Sequence, residues 1–109
     1  MSPEEDDPVR VIVTTAGSEK GTEIARRLVE KRLAACVNVS GVTSFYRWKG
    51  EFCCDPEVLL VIKTTLSRVK EAMTEIRAVH PYELPEMIVI PVEGGHSPYL
   101  AWVREETAP

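Results

Sequence analysis

Residues 58–65 read VLLVIKTT, and this run decides the fold. It is short and rich in β-branched residues, which marks a strand. Side chains alternate across a strand, so Val58, Leu60 and Ile62 point one way and Leu59 and Val61 the other. Both faces are apolar. Upstream, Cys36 to Trp48 (CVNVSGVTSFYRW) alternates and carries β-formers, and Lys49-Gly50 supplies a turn, so the two runs form a long hairpin. Farther out, Val9 to Thr15 (VRVIVTT) is another strand, broken by Gly17-Ser18. Ser18 reads as a helix N-cap with Glu19 in the first turn, and Ile24, Ala25, Leu28, Val29 and Leu33 recur at helical spacing to about Leu33.

Downstream of the hairpin, Ser67 is positioned to cap a second helix. Its stripe is Val69, Ala72, Met73, Ile76 and Val79, and Pro81 stops it. Pro85 ends a rigid loop, and Glu86 to Ile90 (EMIVI) is the fourth strand. After Gly94-Gly95, Ser97-Pro98 reads as an N-cap with Pro at the first helical position, opening a short last helix with Tyr99, Leu100, Trp102 and Val103. The order β-α-β-β-α-β with right-handed crossovers predicts an α+β, ferredoxin-like antiparallel sheet with helices on one face, plus a short C-terminal helix. Residues 1–8, acidic and without apolar anchors, read as a disordered tail, and 9–109 as a single domain.

Helices on one side leave the second face of such a sheet to water, where polar residues belong. Leu59 and Val61, or their opposites on the strand, contradict that, as do Met87 and Val89 against Ile88 and Ile90. The last helix is too short to cover a whole sheet. A second copy of the chain is the expected cover, and a sheet curled over the last helix is the alternative.

The 109 residues carry 44% hydrophobic and 28% charged side chains, which fits a globular chain and no disordered or fibrous one. The formal charge is -4, much of it in MSPEEDD at the start, with no basic stripe, so nucleic-acid binding is not expected. No apolar run approaches the ~20 residues of a membrane span, and no leader-like start is seen, so no membrane role is expected. Three cysteines, two of them adjacent, do not make a disulfide framework, and the reading is a cytoplasmic protein with reduced thiols.

RLAACVNV (32–39), TSFYRWKGE (43–51), EVLLVIKTT (57–65), HPYELPEMIVIP (80–91) and YLAWV (99–103) together resemble the CutA family of divalent-cation tolerance proteins. The resemblance covers nearly everything after residue 8. It implies a small ferredoxin-like subunit assembling as a homotrimer, architecturally similar to PII signalling proteins with ligand clefts between subunits. It also places Glu57, Lys63 and His80 near one intersubunit cleft. Some members carry a cysteine at the end of the first strand that is linked to metal binding; here that stretch reads Ile12-Val13-Thr14-Thr15.

The candidate metal ligands are Cys36, Glu57 and His80. A thiolate and an imidazole suit copper, and imidazole suits zinc. Each has a structural alternative: Cys36 as a small packed residue, His80 as a helix-end group near the last carbonyls. Glu57 and Lys63 lie on one strand face with Leu59 and Val61 between them, as a ligand-holding pair or as two strand ends reaching water. Trp48, Lys63 and Tyr82, with Tyr46, are candidates to line a cleft, or serve as packing anchors. Cys53-Cys54 points to opposite sides of a strand, and His96 falls in an exposed loop. No nucleophile–base–orienter set, P-loop or closed zinc motif is present, so no enzyme is expected. Three functions follow: a trimeric metal-tolerance protein binding copper or another divalent cation weakly, with no cofactor required for folding; a PII-like sensor of a small ligand, anionic if Lys63 holds it; or a scaffold for a protein partner.

Overall fold

The computed structural model describes residues 6–109. Four strands, β1 (Val9–Ala16), β2 (Cys36–Trp48), β3 (Glu51–Thr65) and β4 (Ile88–Pro91), alternate with three helices, α1 (Ser18–Glu30), α2 (Leu66–Val79) and α3 (Ser97–Glu106). They form one antiparallel sheet in the order β2-β3-β1-β4. This is the α+β arrangement expected from the sequence.

The face under α1 and α2 is closed. Ile12, Leu60 and Ile62 from the sheet meet Ile24 and Leu28 of α1 and Ala72 and Ile76 of α2, all with no exposed surface. Glu75 of α2 ties the two helices at the surface, its carboxylate 2.8 Å from Lys31 Nζ and 3.3 Å from Arg27 Nη1. Those two cations hold the Glu75 carboxyl below its ordinary value.

Three boundaries differ from the sequence expectation. Helix α1 stops at Glu30 rather than near Leu33, because Arg32 turns left-handed (φ 59°) and closes the helix. Leu33 N–H then bonds the Leu28 carbonyl and Arg32 N–H the Val29 carbonyl, a Schellman ending. Glycine usually takes that position; Arg32 holds it while its guanidinium donates to the carbonyls of Glu105 and Ala108 at the end of α3. Strand β3 begins at Glu51, seven residues before the expected Val58. Lys49 and Gly50, both at positive φ, make a two-residue turn of the kind that matches hairpin twist, so β2 and β3 pair without interruption. Pro56 is tolerated in β3 because β1 ends opposite Val58, leaving that edge without a partner. Strand β4 spans Ile88–Pro91 rather than 86–90.

The helix caps also shift. Gly17, Thr65 and His96 occupy the N-cap positions, in place of the expected Ser18, Ser67 and Ser97 at each start. Ser67 instead accepts a partner from outside the helix: Asp7 takes its N–H at 2.9 Å and its hydroxyl at 2.7 Å. The Pro8 carbonyl accepts the Leu66 N–H. The inner end of the acidic segment is thus tied to α2, while residues 1–5 lie outside the described residues.

Helix α3 lies on the other face, at one end. Thr64 and Thr65 point to opposite sides: Thr64 Oγ1 bonds the Leu33 carbonyl beneath α1, while Thr65 Oγ1 lies 3.4 Å from Thr107 Oγ1 beside α3. The rest of this face is uncovered. Val11, Val13, Leu59 and Val61 are half-buried, and Ile88 and Ile90 are exposed. Beyond Val58 the hairpin continues as a two-stranded ribbon of seven pairs, from Val42–Glu57 to Trp48–Glu51. It projects roughly 22 Å and stretches the molecule to 50 × 25 × 21 Å.

Candidate functional site

The His80-Pro81-Tyr82 turn builds the site. Proline disfavours helix in the residue before it, so His80 leaves α2 in an extended conformation (φ -70°, ψ 127°) and the chain swings toward the end of β1. His80 is buried there. Its Nε2 lies 2.7 Å from the Thr15 carbonyl, and the Tyr82 N–H donates to its Nδ1 at 3.2 Å. A carbonyl only accepts and an N–H only donates, so these partners assign the proton to Nε2. Both ring nitrogens are engaged, and neither contact is with the carbonyls of α2.

The turn delivers Tyr82 edge-on to the His80 ring, centroids 4.5 Å apart, with its hydroxyl donating to Glu57 Oε2 at 2.7 Å. Burial, then the Glu57 carboxylate, pushes the Tyr82 phenol up to about 12. On the ribbon, Tyr46 donates to Asp55 Oδ2 at 2.6 Å, which raises its phenol as well. Glu57 is only 9% exposed. It accepts the Tyr82 hydroxyl and, among the described residues, forms no ion pair.

A cavity of about 620 Å³ opens between the ribbon root and this turn. Ser44, Phe45, Tyr46, Trp48 and Glu57 line it from the hairpin, Thr15 from β1, and Tyr82, Glu83, Leu84 and Glu86 from the loop after α2. Three carboxylates and four aromatic rings face it, and its lining holds no lysine or arginine. At its rim Lys49 Nζ lies 3.4 Å from Glu83 and 5.6 Å from the centre of the Trp48 ring.

The predicted site residues therefore separate into two groups within one chain. Glu57, His80 and Tyr82 gather at the ribbon root, and Trp48 lines the same cavity from the ribbon tip, six register positions farther out. Cys36 and Lys63 pair with each other's strand at the opposite end, beside α3. Six residues of strand, roughly 20 Å, part Lys63 from Glu57. Burial and the neighbouring Cys36 raise the Tyr99 phenol, which places Cys36 against α3 rather than near His80. Cys36, Glu57 and His80 do not converge on one ion in a single chain, and no group of three His, Cys, Asp or Glu suited to a metal occurs among the described residues. Thr14 is fully buried and, among the described residues, its hydroxyl has no partner. Cys53 and Cys54 lie in the ribbon, His96 is exposed, and all three cysteines are free.

The sequence reading missed Glu83 and Glu86. Glu83 lies between Pro81 and Pro85 and Glu86 directly after Pro85, in a loop whose composition carries no sign of the cavity it borders.

Residues 9–106 match the family model of the CutA1 divalent ion tolerance protein. The divalent-cation tolerance protein CutA of Thermus thermophilus is 46% identical over 98 residues, covering 89% of this chain and 95% of its own. Human protein CutA is 52% identical over 96 residues, 87% of this chain; the chain spans about half, 54%, of that longer relative. Among solved structures, a periplasmic divalent cation tolerance protein CutA from Archaeoglobus fulgidus superposes with a TM-score of 0.88 at 37% identity, over 91% of this chain and 98% of that one. A PII-like protein CutA from a Nostoc species gives 0.87 at 40%, over 90% and 96%. With its fold and nearly its whole length matched, the chain belongs to the CutA1 divalent ion tolerance family.

Proposed function

We propose that this chain is a non-catalytic, homotrimeric cation-binding protein of the CutA type, working in a reducing, cytoplasmic setting. The cavity at the ribbon root is its functional cleft. The observation that carries the reading is Glu57, a buried carboxylate without a cationic partner among the described residues, facing a cavity lined by Glu83 and Glu86 and by no basic residue. Such a cleft attracts divalent cations without a preformed chelate, so binding is weak. Copper is the leading ion by the general order of divalent affinities.

The trimer reading is supported by two unfinished surfaces. The second sheet face keeps Leu59, Val61 and Val13 only half-buried, and a two-stranded ribbon is marginal in water without further cover. The free cysteines support the reducing setting. The relatives named for divalent-cation tolerance support the role. A small-ligand sensor is the second reading, supported by the cavity's size and by the Nostoc relative described as PII-like. Lys63, roughly 20 Å along the strand, supplies no positive charge to the cleft of its own chain, so an anionic ligand is disfavoured there.

Sedimentation combined with equilibrium dialysis of copper(II) tests the proposal. The expected result is a trimer of the 12.2 kDa chain whose copper uptake falls in Glu57→Gln and persists in Cys36→Ser. Equal uptake by wild type and Glu57→Gln overturns the cleft, and a stable monomer overturns the assembly.

A further inference from the structure

We propose that the cavity at the ribbon root holds an organic ammonium or guanidinium group, with Glu57 as its charge partner and Tyr46 and Tyr82 as its walls. This deepens the reading of that cavity as the functional cleft by naming the class of cation that its walls select.

Glu57 is nine-tenths buried, yet it accepts one hydrogen bond, from Tyr82, and meets no positive charge among the described residues. A carboxylate removed from water is costly unless a cation or several donors compensate it. The surroundings reinforce the sign, since Glu83 and Glu86 line the same cavity. A bare metal ion satisfies the charge and leaves the aromatic rings unused. Ring faces attract cations, and they also bury alkyl groups, so a cation with an organic body uses both parts of the lining.

The chain supplies an example at the rim. The Lys49 ammonium stands over the Trp48 ring and beside the Glu83 carboxylate, 5.6 Å and 3.4 Å away. An alkylammonium is thus already recognised by one ring and one carboxylate of this wall. The pair at the ribbon root, Tyr82 and Glu57, repeats that combination with a buried carboxylate in place of the exposed Glu83 and, among the described residues, no cation against it. One chemistry has two sources here: a free amine, or the lysine or arginine side chain of a second copy reaching into the cleft.

The test uses the whole chain in EDTA, so that divalent metals play no part. Tetramethylammonium and n-butylammonium chloride are titrated against it, followed by tryptophan fluorescence and calorimetry, with sodium chloride and sodium acetate as controls. For a free amine the expected result is saturable binding, one per chain, weakened about tenfold or more in Glu57→Gln, as for loss of a charged hydrogen-bond partner. Tyr46→Leu should weaken it independently and serves if Glu57→Gln does not fold. For a second copy, the wild type takes up no amine, but Glu57→Gln loosens the assembly about tenfold or more. A Lys/Arg→Ala scan then finds one residue whose double variant with Glu57→Gln is no looser than either single variant. Absence of amine binding together with unchanged assembly in Glu57→Gln, or preferential uptake of acetate, overturns the proposal. Copper uptake under metal-loaded conditions alongside that negative result leaves the divalent-cation reading standing, so the two fail separately.

Discussion

Leu59 and Leu60 are neighbours in β3 with the same side chain and opposite situations. Leu60 lies under α1 and α2 with no exposed surface, while Leu59 points to a face that α3 covers only at its far end. The same holds for Ile12 against Val13, and for Ile62 against Val61. One face of the sheet is finished by its own chain, and the other has the composition of an interior without the cover. Hydrophobic composition therefore measures what a residue needs, and the placement of three helices decides whether the chain itself meets that need.

One substitution at the two neighbouring positions breaks the comparison most directly. Leu60→Lys places an ammonium in the closed core, where an unpaired charge costs on the order of several kcal/mol, comparable to the whole stability of a small domain. Circular dichroism is expected to show a chain without a cooperative unfolding transition. Leu59→Lys puts the same group on the unfinished face. The chain should keep its secondary structure while sedimentation shows the proposed trimer dissociated, and a trimer left intact would place Leu59 away from the interface.

Gly21 sharpens the comparison from the helix side. A methyl group there runs into the Val58 side chain, since α1 crosses β3 at that point without room for a Cβ. Gly21→Ala gains helix propensity, but the overpacking should outweigh it, with a net loss of roughly 1–3 kcal/mol in chemical denaturation.

A smaller effect concerns the ribbon root. The Tyr82 phenol is held up to about 12, above the ordinary 10, by burial and by Glu57. A raised folded value means the folded chain keeps a proton that the unfolded chain releases. The contribution is complete below pH 10 and is lost as pH climbs from 10 through 12. Tyr82→Phe should flatten the fall of stability across that window, and an unchanged profile would assign the fall to other groups. Smallest of all, Cys53→Ser with Cys54→Ser should leave the denaturation midpoint almost unmoved, within about 0.5 kcal/mol. Cys54 is exposed and Cys53 half-buried on the ribbon, with no disulfide to lose. A large loss would show that the ribbon is packed against a neighbour at that place.

Much of the cleft was legible in part. Trp48, Glu57, Tyr82 and His80 were marked by residue type; the structure gathers the last three at the ribbon root, and Trp48 borders the same cavity from the ribbon tip. Cys36 and Lys63 were grouped with them at a cleft between subunits, and the register within one chain places both at the far end of the strands. Chemical softness and charge are properties of a residue, whereas convergence is a property of register. Register was hidden because the hairpin turn, at Lys49-Gly50, sets the pairing of Cys36 with Lys63 from thirteen residues away. Glu83 and Glu86 escaped notice for the converse reason, since nothing in a loop's composition tells which cavity it borders.

The sequence by itself determined the order of strands and helices, the closed core stripe and the presence of a second apolar face. These follow from periodicity and turn chemistry, which act over a few residues and are written locally. Only the tertiary structure decided that β3 runs unbroken from Glu51, that Arg32 ends α1 by reaching the carbonyls of α3, and that His80 spends both ring nitrogens on Thr15 and Tyr82. Each of those outcomes depends on a partner distant in the chain, and a hydrogen bond between distant residues has no local signature in sequence.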